Sequence, residues 1–295
     1  MRKIVLKLLC LSFLIAGCSA KEAPNADNYP ASYAYSKEEA MYSDSPSTEV
    51  LENNVSIIDY SNRNNGYITI KLKENIDKKI KLQVIHTETY TYDIASLDYV
   101  GIPLQMGDGL YTLRVLKNIN SNQYAIVDSV DIEVNIEDEL QSYLYPNQII
   151  NYNENSLVVD KSFEVCTGLE NNVQRIEACY QWVIDELEYD NDKVQVATQK
   201  YIVPDLDEIM KTKKGICFDY AALLCAMLRL QHIPTRVICG NTDIEYHAWI
   251  EVYLEGEGWV YPDLYVDEDL WSRLDPTFAD SKYDYEGSYD AIYYY

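Results

Sequence analysis

Three residues in the second half of this 295-residue sequence, Cys217, His247 and Asp275, have side chains that could take part in one reaction. A thiolate can attack a carbonyl carbon, an imidazole can accept and return the proton, and a carboxylate can orient the imidazole. Such groups are usually distant in sequence and need only meet in the folded protein. The three residue types could therefore divide the roles of nucleophile, base and orienting group among themselves.

Cys217 lies at the predicted first turn of an apolar helix, in the stretch Gly-Ile-Cys-Phe-Asp-Tyr-Ala-Ala-Leu at 215–223. The positive end of the helix dipole and the unbonded N–H groups there stabilise a thiolate. Gly215 permits a close approach of the backbone just before the nucleophile, and Asp219 is expected to charge the helix start. The N–H of Cys217 could bind a developing oxyanion, and no second donor is evident. The alternative is a buried helix-start thiol without chemistry.

His247 lies in a predicted strand, on the face opposite to its apolar residues, and we expect it to face the nucleophile helix. The alternative is a packing histidine whose ring is satisfied by its neighbours. The other two histidines, His86 and His232, are expected to have structural roles, at a strand end and at a helix end. The apolar face of this strand carries Ala248, Ile250, Val252 and Leu254.

Four sequence blocks, in this order, resemble the transglutaminase-like superfamily, whose catalytic core is similar to that of papain-like cysteine proteases. The resemblance covers roughly residues 171–281 and implies a Cys-His-Asp triad that acts on amide or peptide carbonyls. The blocks are Gly-Ile-Cys-Phe-Asp-Tyr-Ala-Ala-Leu (215–223), Gln-His-Ile-Pro-Thr-Arg-Val (231–237), His-Ala-Trp-Ile-Glu-Val (247–252) and Leu-Asp-Pro-Thr-Phe (274–278).

The third member of the triad has two candidates under this resemblance. Members of the superfamily typically carry a Trp four residues before the Asp, and both Trp259–Asp263 and Trp271–Asp275 have this spacing. Asp275 is favoured because Leu-Asp-Pro-Thr-Phe is the closer match, with Asp263 as the alternative. Its expected role is to orient the imidazole rather than to transfer protons.

The elements that must position these residues follow from the apolar pattern. Ile68, Ile70 and Leu72 alternate with polar residues, which predicts a strand with one dry and one wet face. Similar patterns and Gly-rich turns predict an N-terminal antiparallel β-sandwich at 54–140. Three helices (about 171–187, 205–215 and 217–231) followed by strands predict an α+β transglutaminase-like (papain-like) domain at 141–295.

The N-terminus has the features of an export signal. Basic residues precede and interrupt an apolar run that is too short to span a bilayer, and small residues precede Cys18. This arrangement resembles a bacterial lipoprotein processing box and implies cleavage of 1–17 and lipidation of Cys18, with a simple secretory signal as the alternative. The composition of residues 18–53 predicts a disordered tether. We therefore expect an outward-facing protein held at the bacterial cell membrane by its lipid anchor only.

Charge and cysteine spacing exclude some partners. Acidic residues number 48 and basic residues 24, a net charge of −24, so nucleic acid is not an expected partner. No Cys or His cluster has metal-ligand spacing, and neither a metal nor an organic cofactor is expected. Cys179 and Cys225 are interpreted as buried thiols, and the pairing of Cys166, Cys179, Cys225 and Cys239 stays open.

The expected substrate is a protein or peptide, attacked at an amide carbonyl. Release by water would make the protein a peptidase or amidase, and release by an amine would make it a crosslinking transferase; hydrolysis is favoured by analogy with the family. Two other interpretations stay open. The chain could be a weakly active or inactive binding or scaffold module at the bacterial surface, or a disulfide-stapled domain without chemistry.

Overall fold

The structure is a computed structural model that describes residues 26–241, 246–260 and 290–295. Within these ranges a β-rich region comes first, a group of α-helices follows, and a further sheet comes last. None of the helices in the described ranges combines the length and the apolar character that crossing a bilayer requires.

The strands described in the β-rich region form two four-stranded sheets, and every neighbouring pair is antiparallel. The strands are β1 (Val50–Glu52), β2 (Ser56–Asp59), β3 (Tyr67–Leu72), β4 (Ile80–Ile85), β5 (Thr89–Ile94), β6 (Val100–Pro103), β7 (Gly109–Asn120) and β8 (Gln123–Val134). The first sheet has the order β1-β2-β3-β6 and the second the order β5-β4-β7-β8.

Alternation of apolar and polar residues explains how these sheets bury their inner faces. In β4 the side chains of Ile80, Leu82 and Val84 are at most 1% exposed, whereas Lys81 and Gln83 between them are partly exposed. Both sheets contribute side chains to one apolar cluster, among them Ile58, Ile70 and Ile102 from the first sheet and Leu82, Leu113 and Ile132 from the second.

Strand β3 differs from the predicted pattern of one dry and one wet face. Thr69, expected on the wet face, is buried like its apolar neighbours Ile68 and Ile70. The reason is that the chain N-terminal to the sheet crosses the outer face, where the hydroxyl of Ser45 lies 2.7 Å from that of Thr69. This strand is therefore covered on both faces.

The described residues of 157–254, with the strands at 258–260 and 290–294, form a helical layer packed against a third four-stranded sheet, which is also antiparallel. The helices are α1 (Leu157–Val165), α2 (Asn172–Glu186), α3 (Asn191–Ala197), α4 (Leu206–Thr212) and α5 (Cys217–Leu230). A short parallel pair is formed by β9 (Glu188–Tyr189) and β10 (Lys214–Gly215). The sheet has the order β13-β12-β11-β14, from β11 (Thr235–Asn241), β12 (Tyr246–Leu254), β13 (Gly258–Val260) and β14 (Asp290–Tyr294).

Helix α5 is the centre of this second region. Every residue from Asp219 to Leu230 is buried, as expected for a helix that is apolar on all sides. It packs against α1, α2 and α4 and also against β11 and β12. Its apolar side chains and those of the sheet belong to one cluster, so the helix start is held firmly relative to β12.

Residues 26–53 lie on the folded body, whereas the sequence predicted a disordered tether over 18–53. Strand β1 falls inside that stretch and pairs with β2. The buried Arg175 of α2 donates to the Ser32 hydroxyl at 2.7 Å, and the amide of Asn171 donates to the carbonyl of Ala26 at 2.9 Å. Tyr29 and Tyr42 pack against the apolar cluster of the helical region. Aromatic residues and buried polar partners, which a tether does not need, explain the difference.

The strand β14 and the residue that follows it connect the two regions. Tyr295 packs against both apolar clusters. The side-chain amide of Gln105, at the end of the first sheet, donates to the carbonyl of Tyr294 at 3.0 Å. Within its own sheet, β14 is held to β11 by Arg236, which lies 4.6 Å from the centre of the Tyr294 ring, in cation–π geometry.

Candidate active site

The candidate nucleophile Cys217 is the first residue of α5 and is partly exposed. The carboxylate of Asp219 accepts the backbone N–H of Ile216 at 2.9 Å, which caps the helix start. The same carboxylate forms an ion pair with Lys193 of α3 at 2.8 Å, and its side chain is 2% exposed. Asp219 therefore fixes the turn that carries the thiol, which is the structural role expected from the sequence.

Gly215 precedes this turn and cannot be replaced without a clash. A Cβ atom built on Gly215 would lie 2.7 Å from the Cβ of Asp219. The carbonyl of Gly215 accepts the N–H of Asp190 at 2.9 Å, and the Asp190 carboxylate caps α3 by accepting the N–H of Lys193. Hydrogen bonds and an ion pair of Asp190, Lys193 and Asp219 thus connect the start of α3 to the start of α5.

His247 is the second residue of β12, lies opposite Gly240 of β11, and is 6% exposed. Its ring is nearly parallel to that of Trp249, with 6.3 Å between the ring centres. The face of β12 that joins the apolar cluster with α5 carries Ala248 and Ile250. The expectation that the His247 imidazole faces the nucleophile helix stays a prediction.

Cys217 and His247 both line one pocket of about 400 Å³. The pocket lies between α3 with the turn that follows it, the start of α5, and the adjoining ends of β11 and β12. The structure thus brings together two of the three residues selected from the sequence. A thiol at a helix start and an imidazole in one pocket can supply a nucleophile and a proton acceptor.

The pocket contains a second thiol that the sequence did not single out. Cys239 of β11 is 4% exposed, and burial raises the pKa of its thiol to about 12. Burial also raises the pKa of the Cys225 thiol, inside α5, to about 11. Both thiols stay protonated at neutral pH, which makes them poor nucleophiles. Alternation along β11 could have indicated the face of the strand on which Cys239 lies, but not that it shares a pocket with Cys217 and His247.

The described cysteines are not joined by disulfides: Cys166, Cys179, Cys217, Cys225 and Cys239 all carry thiols. The sulfur atoms of Cys166 and Cys179 are 3.5 Å apart, and this contact together with burial raises the pKa of the Cys179 thiol. Cys179 and Cys225 are fully buried, as interpreted from the sequence. A disulfide-stapled domain that depends on a paired Cys217 is not what the structure shows.

Three residues selected from the sequence, Asp263, Asp275 and Cys18, lie outside the described residues. The structure therefore places neither candidate for the third member of the triad, nor the lipidation site. Within the described ranges, no group of three or more His, Cys, Asp or Glu side chains is positioned to hold a metal ion.

The other two histidines lie away from the pocket. His232 follows α5 with a φ of 56°, and its ring stacks on Tyr35 with the ring centres 3.6 Å apart. Its Nε2 lies 2.8 Å from the carbonyl of Glu39, and burial lowers the pKa of the imidazole. His86 has its Nδ1 3.0 Å from the carbonyl of Leu110. Both rings serve packing, as the sequence indicated.

Residues 160–264 match the family model described as the transglutaminase-like superfamily. This segment contains Cys217, His247 and Asp263, and it ends before Asp275. Residues 160–264 are therefore a transglutaminase-like domain.

Comparisons with individual proteins give weaker likenesses. YebA of Bacillus subtilis, described as uncharacterized, is 29% identical over a segment that covers 21% of this chain and 12% of YebA. The chain thus spans about an eighth of the length of that relative. A candidate cysteine protease from Cytophaga hutchinsonii overlays with a TM-score of 0.37 at 14% identity, covering 78% of this chain and 91% of the other.

Two further solved structures overlay on parts of the chain. Red sea bream transglutaminase gives a TM-score of 0.27 at 15% identity, covering 66% of this chain and 47% of the enzyme. A candidate protease from Parabacteroides distasonis gives 0.30 at 10% identity, covering 68% and 62%. These overlays are partial, and the assignment of the domain rests on the family match.

Proposed function

We propose that this protein is a cysteine enzyme that attacks amide or peptide carbonyls, with Cys217 as nucleophile and His247 as general acid and base. The observation that supports it is that both side chains line one pocket inside a transglutaminase-like domain. The helix start at Cys217, capped by Asp219, favours the thiolate form of the nucleophile. Protein or peptide is the proposed substrate.

The proposed reaction has two halves. In the first, the Cys217 sulfur forms a C–S bond with the carbonyl carbon, and collapse of the oxyanion breaks the C–N bond. The departing amine takes the proton held on His247. In the second, water gives a proton to His247 as its oxygen attacks the thioester. The C–S bond then breaks, which leaves a carboxylic acid product and restores the thiolate.

Water is the favoured acceptor in this proposal. Cys217 is partly exposed, so water can reach a thioester formed on it. An amine that entered the same pocket would instead form a new amide bond, which is crosslinking. Hydrolysis and crosslinking are distinguished by their products, a free carboxylic acid in one case and an amide in the other.

For the third member of the triad, the extent of the family match favours Asp263, because the match ends one residue after it. The sequence pattern around Asp275 is closer to the family block. Each carboxylate would act by orienting the His247 ring. We propose to compare Asp263→Asn with Asp275→Asn: the true member should lose roughly 10³- to 10⁴-fold in rate, whereas the other should lose little.

The proposed setting is the outer face of a bacterial membrane, with the chain held by lipid on Cys18. The two sheets of residues 50–134 share one apolar cluster, which supports a β-sandwich domain that positions the enzyme. Metabolic labelling with a fatty-acid analogue tests the anchor. Labelling in the wild type that persists in Cys18→Ser would contradict it.

The decisive experiment for the nucleophile uses a small thiol-directed electrophile at neutral pH, followed by mass spectrometry. We expect labelling at one position in the wild type, lost in Cys217→Ala. Cys239→Ala is the matched control, since this thiol lines the same pocket but has a pKa of about 12 and stays protonated. Labelling that survives in Cys217→Ala but not in Cys239→Ala would refute the assignment.

Turnover is then measured on a peptide library, scoring both cleavage and incorporation of a labelled amine. Wild type is compared with His247→Ala, which should retain the fold but lose the proton acceptor. Equal turnover in the two proteins would favour the alternative, a binding or scaffold module that keeps the fold without chemistry.

A further inference from the structure

The pocket that contains Cys217 has an unusual lining for so acidic a protein. Its described walls are mainly aromatic and aliphatic, and Lys200 is the one charged side chain among them besides the titratable His247. No described side chain of the lining is a carboxylate, although the chain has 48 acidic residues. The aromatic lining consists of Tyr189, Tyr201, Phe218, Tyr246 and Tyr295.

The hydroxyls of Tyr201, Tyr246 and Tyr295 in this lining are neutral over the physiological range, because the ordinary pKa of a tyrosine is about 10. A side chain bound there would contact ring faces and uncharged hydroxyls. These tyrosines supply no anion that could pair with a basic side chain. A cationic side chain would lose its water, meet Lys200, and find no carboxylate among the described side chains of the lining.

The apolar surface continues out of the pocket. Tyr201 and Tyr246 are 58% and 56% exposed, although both line the pocket. On the neighbouring strand β14, Tyr293 is 39% exposed, and its ring lies 6.2 Å from that of Tyr295. Large apolar side chains left in water around a concave site commonly mark a surface that a ligand covers.

We propose that this pocket receives a large, uncharged apolar side chain, aromatic or long aliphatic, next to the carbonyl that Cys217 attacks. This assignment of substrate class rests on the proposed function. A pocket of about 400 Å³ has room for one such side chain with its adjoining backbone. Glutamine is a poorer occupant, because its amide must exchange water for a lining that is mostly hydrocarbon.

The experiment uses short fluorescent peptides that differ at one residue, which is Phe, Leu, Ala, Gln, Glu or Lys. The first arm measures their binding to Cys217→Ala by anisotropy, so that no turnover is needed. We expect the Phe and Leu peptides to bind at least about 10-fold more tightly than the Gln, Glu and Lys peptides. Equal binding across the series, or a preference for Gln or Lys, would overturn the proposal.

The second arm separates this proposal from the catalytic one. Wild-type turnover of the same series should follow the same preference. If the peptides bind with apolar selectivity but no cleavage depends on Cys217, the assignment of the pocket is retained and the proposed catalytic function is rejected.

A pair of variants tests whether the pocket itself carries the selectivity. Tyr201→Ala should weaken binding of the Phe peptide roughly 10-fold and leave the Ala peptide unchanged. Tyr33→Ala is the matched control, because Tyr33 is 64% exposed but bonds to Glu39, on the N-terminal segment. Loss of Phe-peptide affinity in both variants, or in neither, counts against the proposal.

Discussion

The β-rich region and the helical region differ in what they bury. Between residues 50 and 134, the buried polar side chains are Ser56, Asp59 and Thr69, in a region whose core is otherwise apolar. The helical region buries more charges, among them Arg175, Asp219 and Arg229, whereas the β-rich region buries the single carboxylate of Asp59. Burying a charge costs free energy unless hydrogen bonds or an opposite charge replace its water. The first region is therefore stabilised mainly by apolar packing, whereas the second also depends on individual polar contacts.

The arginine Arg229 shows this dependence most clearly. It is 0% exposed, and its guanidinium donates to the carbonyls of Thr235, Tyr145 and Tyr295 at 2.9, 2.6 and 3.0 Å. One side chain thus joins α5 to β11, to the segment before α1, and to Tyr295, which lines the pocket.

The largest expected effect is that of Arg229→Ala. We expect the free energy of unfolding to fall by about 4 kcal/mol, because three charge-assisted hydrogen bonds of roughly 1.5–3 kcal/mol each are lost and the effects are not additive. Urea denaturation measures the loss, and Arg229→Lys gives a milder variant if the first does not fold.

Arg175→Ala is the matched control for Arg229. It is buried to the same degree, but it bonds to Ser32, Asn172 and Leu169, away from the pocket. Labelling of Cys217 should slow in the folded fraction of the Arg229 variant alone. Equal labelling rates in both variants would show that the buried charge stabilises the fold without shaping the pocket.

Leu82→Ala tests the β-rich region, which is stabilised mainly by apolar packing. This side chain is 0% exposed in the cluster shared by the two sheets, and we expect a loss of about 3 kcal/mol from the cavity it leaves. Labelling of Cys217 per folded molecule should not change. Gln83→Ala, on the opposite face of β4, is the control and should cost little. A change in labelling would mean that the two regions are coupled more tightly than their separate clusters indicate.

Asp219→Asn should give an intermediate effect. The amide can still accept the N–H of Ile216, but the ion pair with Lys193 is lost. We expect a loss of about 2 kcal/mol, between that of an exposed and that of a fully buried pair. Asp160→Asn, whose pair with Lys37 is 80% exposed on the aspartate side, should cause no measurable change. Equal losses would contradict the claim that burial gives the Asp219 pair its value.

The smallest effect concerns the cysteine thiols at alkaline pH, and these thiols belong to the helical region because the β-rich region has no cysteine. The pKa values of Cys225 and Cys239 are raised to about 11 and about 12 from 9.0. Above pH 9 the unfolded thiols ionise while the folded ones stay protonated, so stability falls as pH rises towards these values. We expect about 1 kcal/mol per thiol between pH 9 and 10.

Urea titrations at pH 8, 9 and 10 measure this decline in wild type and in Cys239→Ala. The free energy of unfolding should decline less in the variant, by about 1 kcal/mol between pH 9 and 10, because one thiol with a raised pKa is absent. Buried tyrosines such as Tyr111, whose pKa is also raised, add to the decline in both proteins, so the difference between the two curves reports the thiol. An identical pH dependence in the two proteins would show that the Cys239 thiol ionises equally easily when folded and unfolded.

Much of the fold follows from sequence period. The predicted helices at about 171–187 and 217–231 are α2 and α5, and Asn171 caps α2 by accepting the N–H of Gln174 at 2.9 Å. The alternation in β12 placed its buried apolar face correctly. These features are local, so a single stretch of sequence contains the information that specifies them.

The features that the sequence did not reveal depend on contacts between distant segments. The strand pattern predicted that Thr69 is exposed, because Ser45, which contacts its hydroxyl, belongs to a distant segment of the chain. Cys239 and Tyr295 carry no motif, and only the pairing of β14 with β11 brings the second to the pocket. The sequence could name Cys217 and His247 because residue types suffice for chemistry, but the shape of their pocket needed the tertiary structure.

The packing of residues 26–53 on the body bears on where the protein could work. With lipid on Cys18, as proposed, the anchor would lie eight positions before Ala26, whose carbonyl is bonded to Asn171. Fully extended, such a stretch spans at most about 28 Å. The part of the folded body around Ala26 would then stay within that distance of the lipid, so soluble molecules would have to diffuse to the membrane surface to meet the protein.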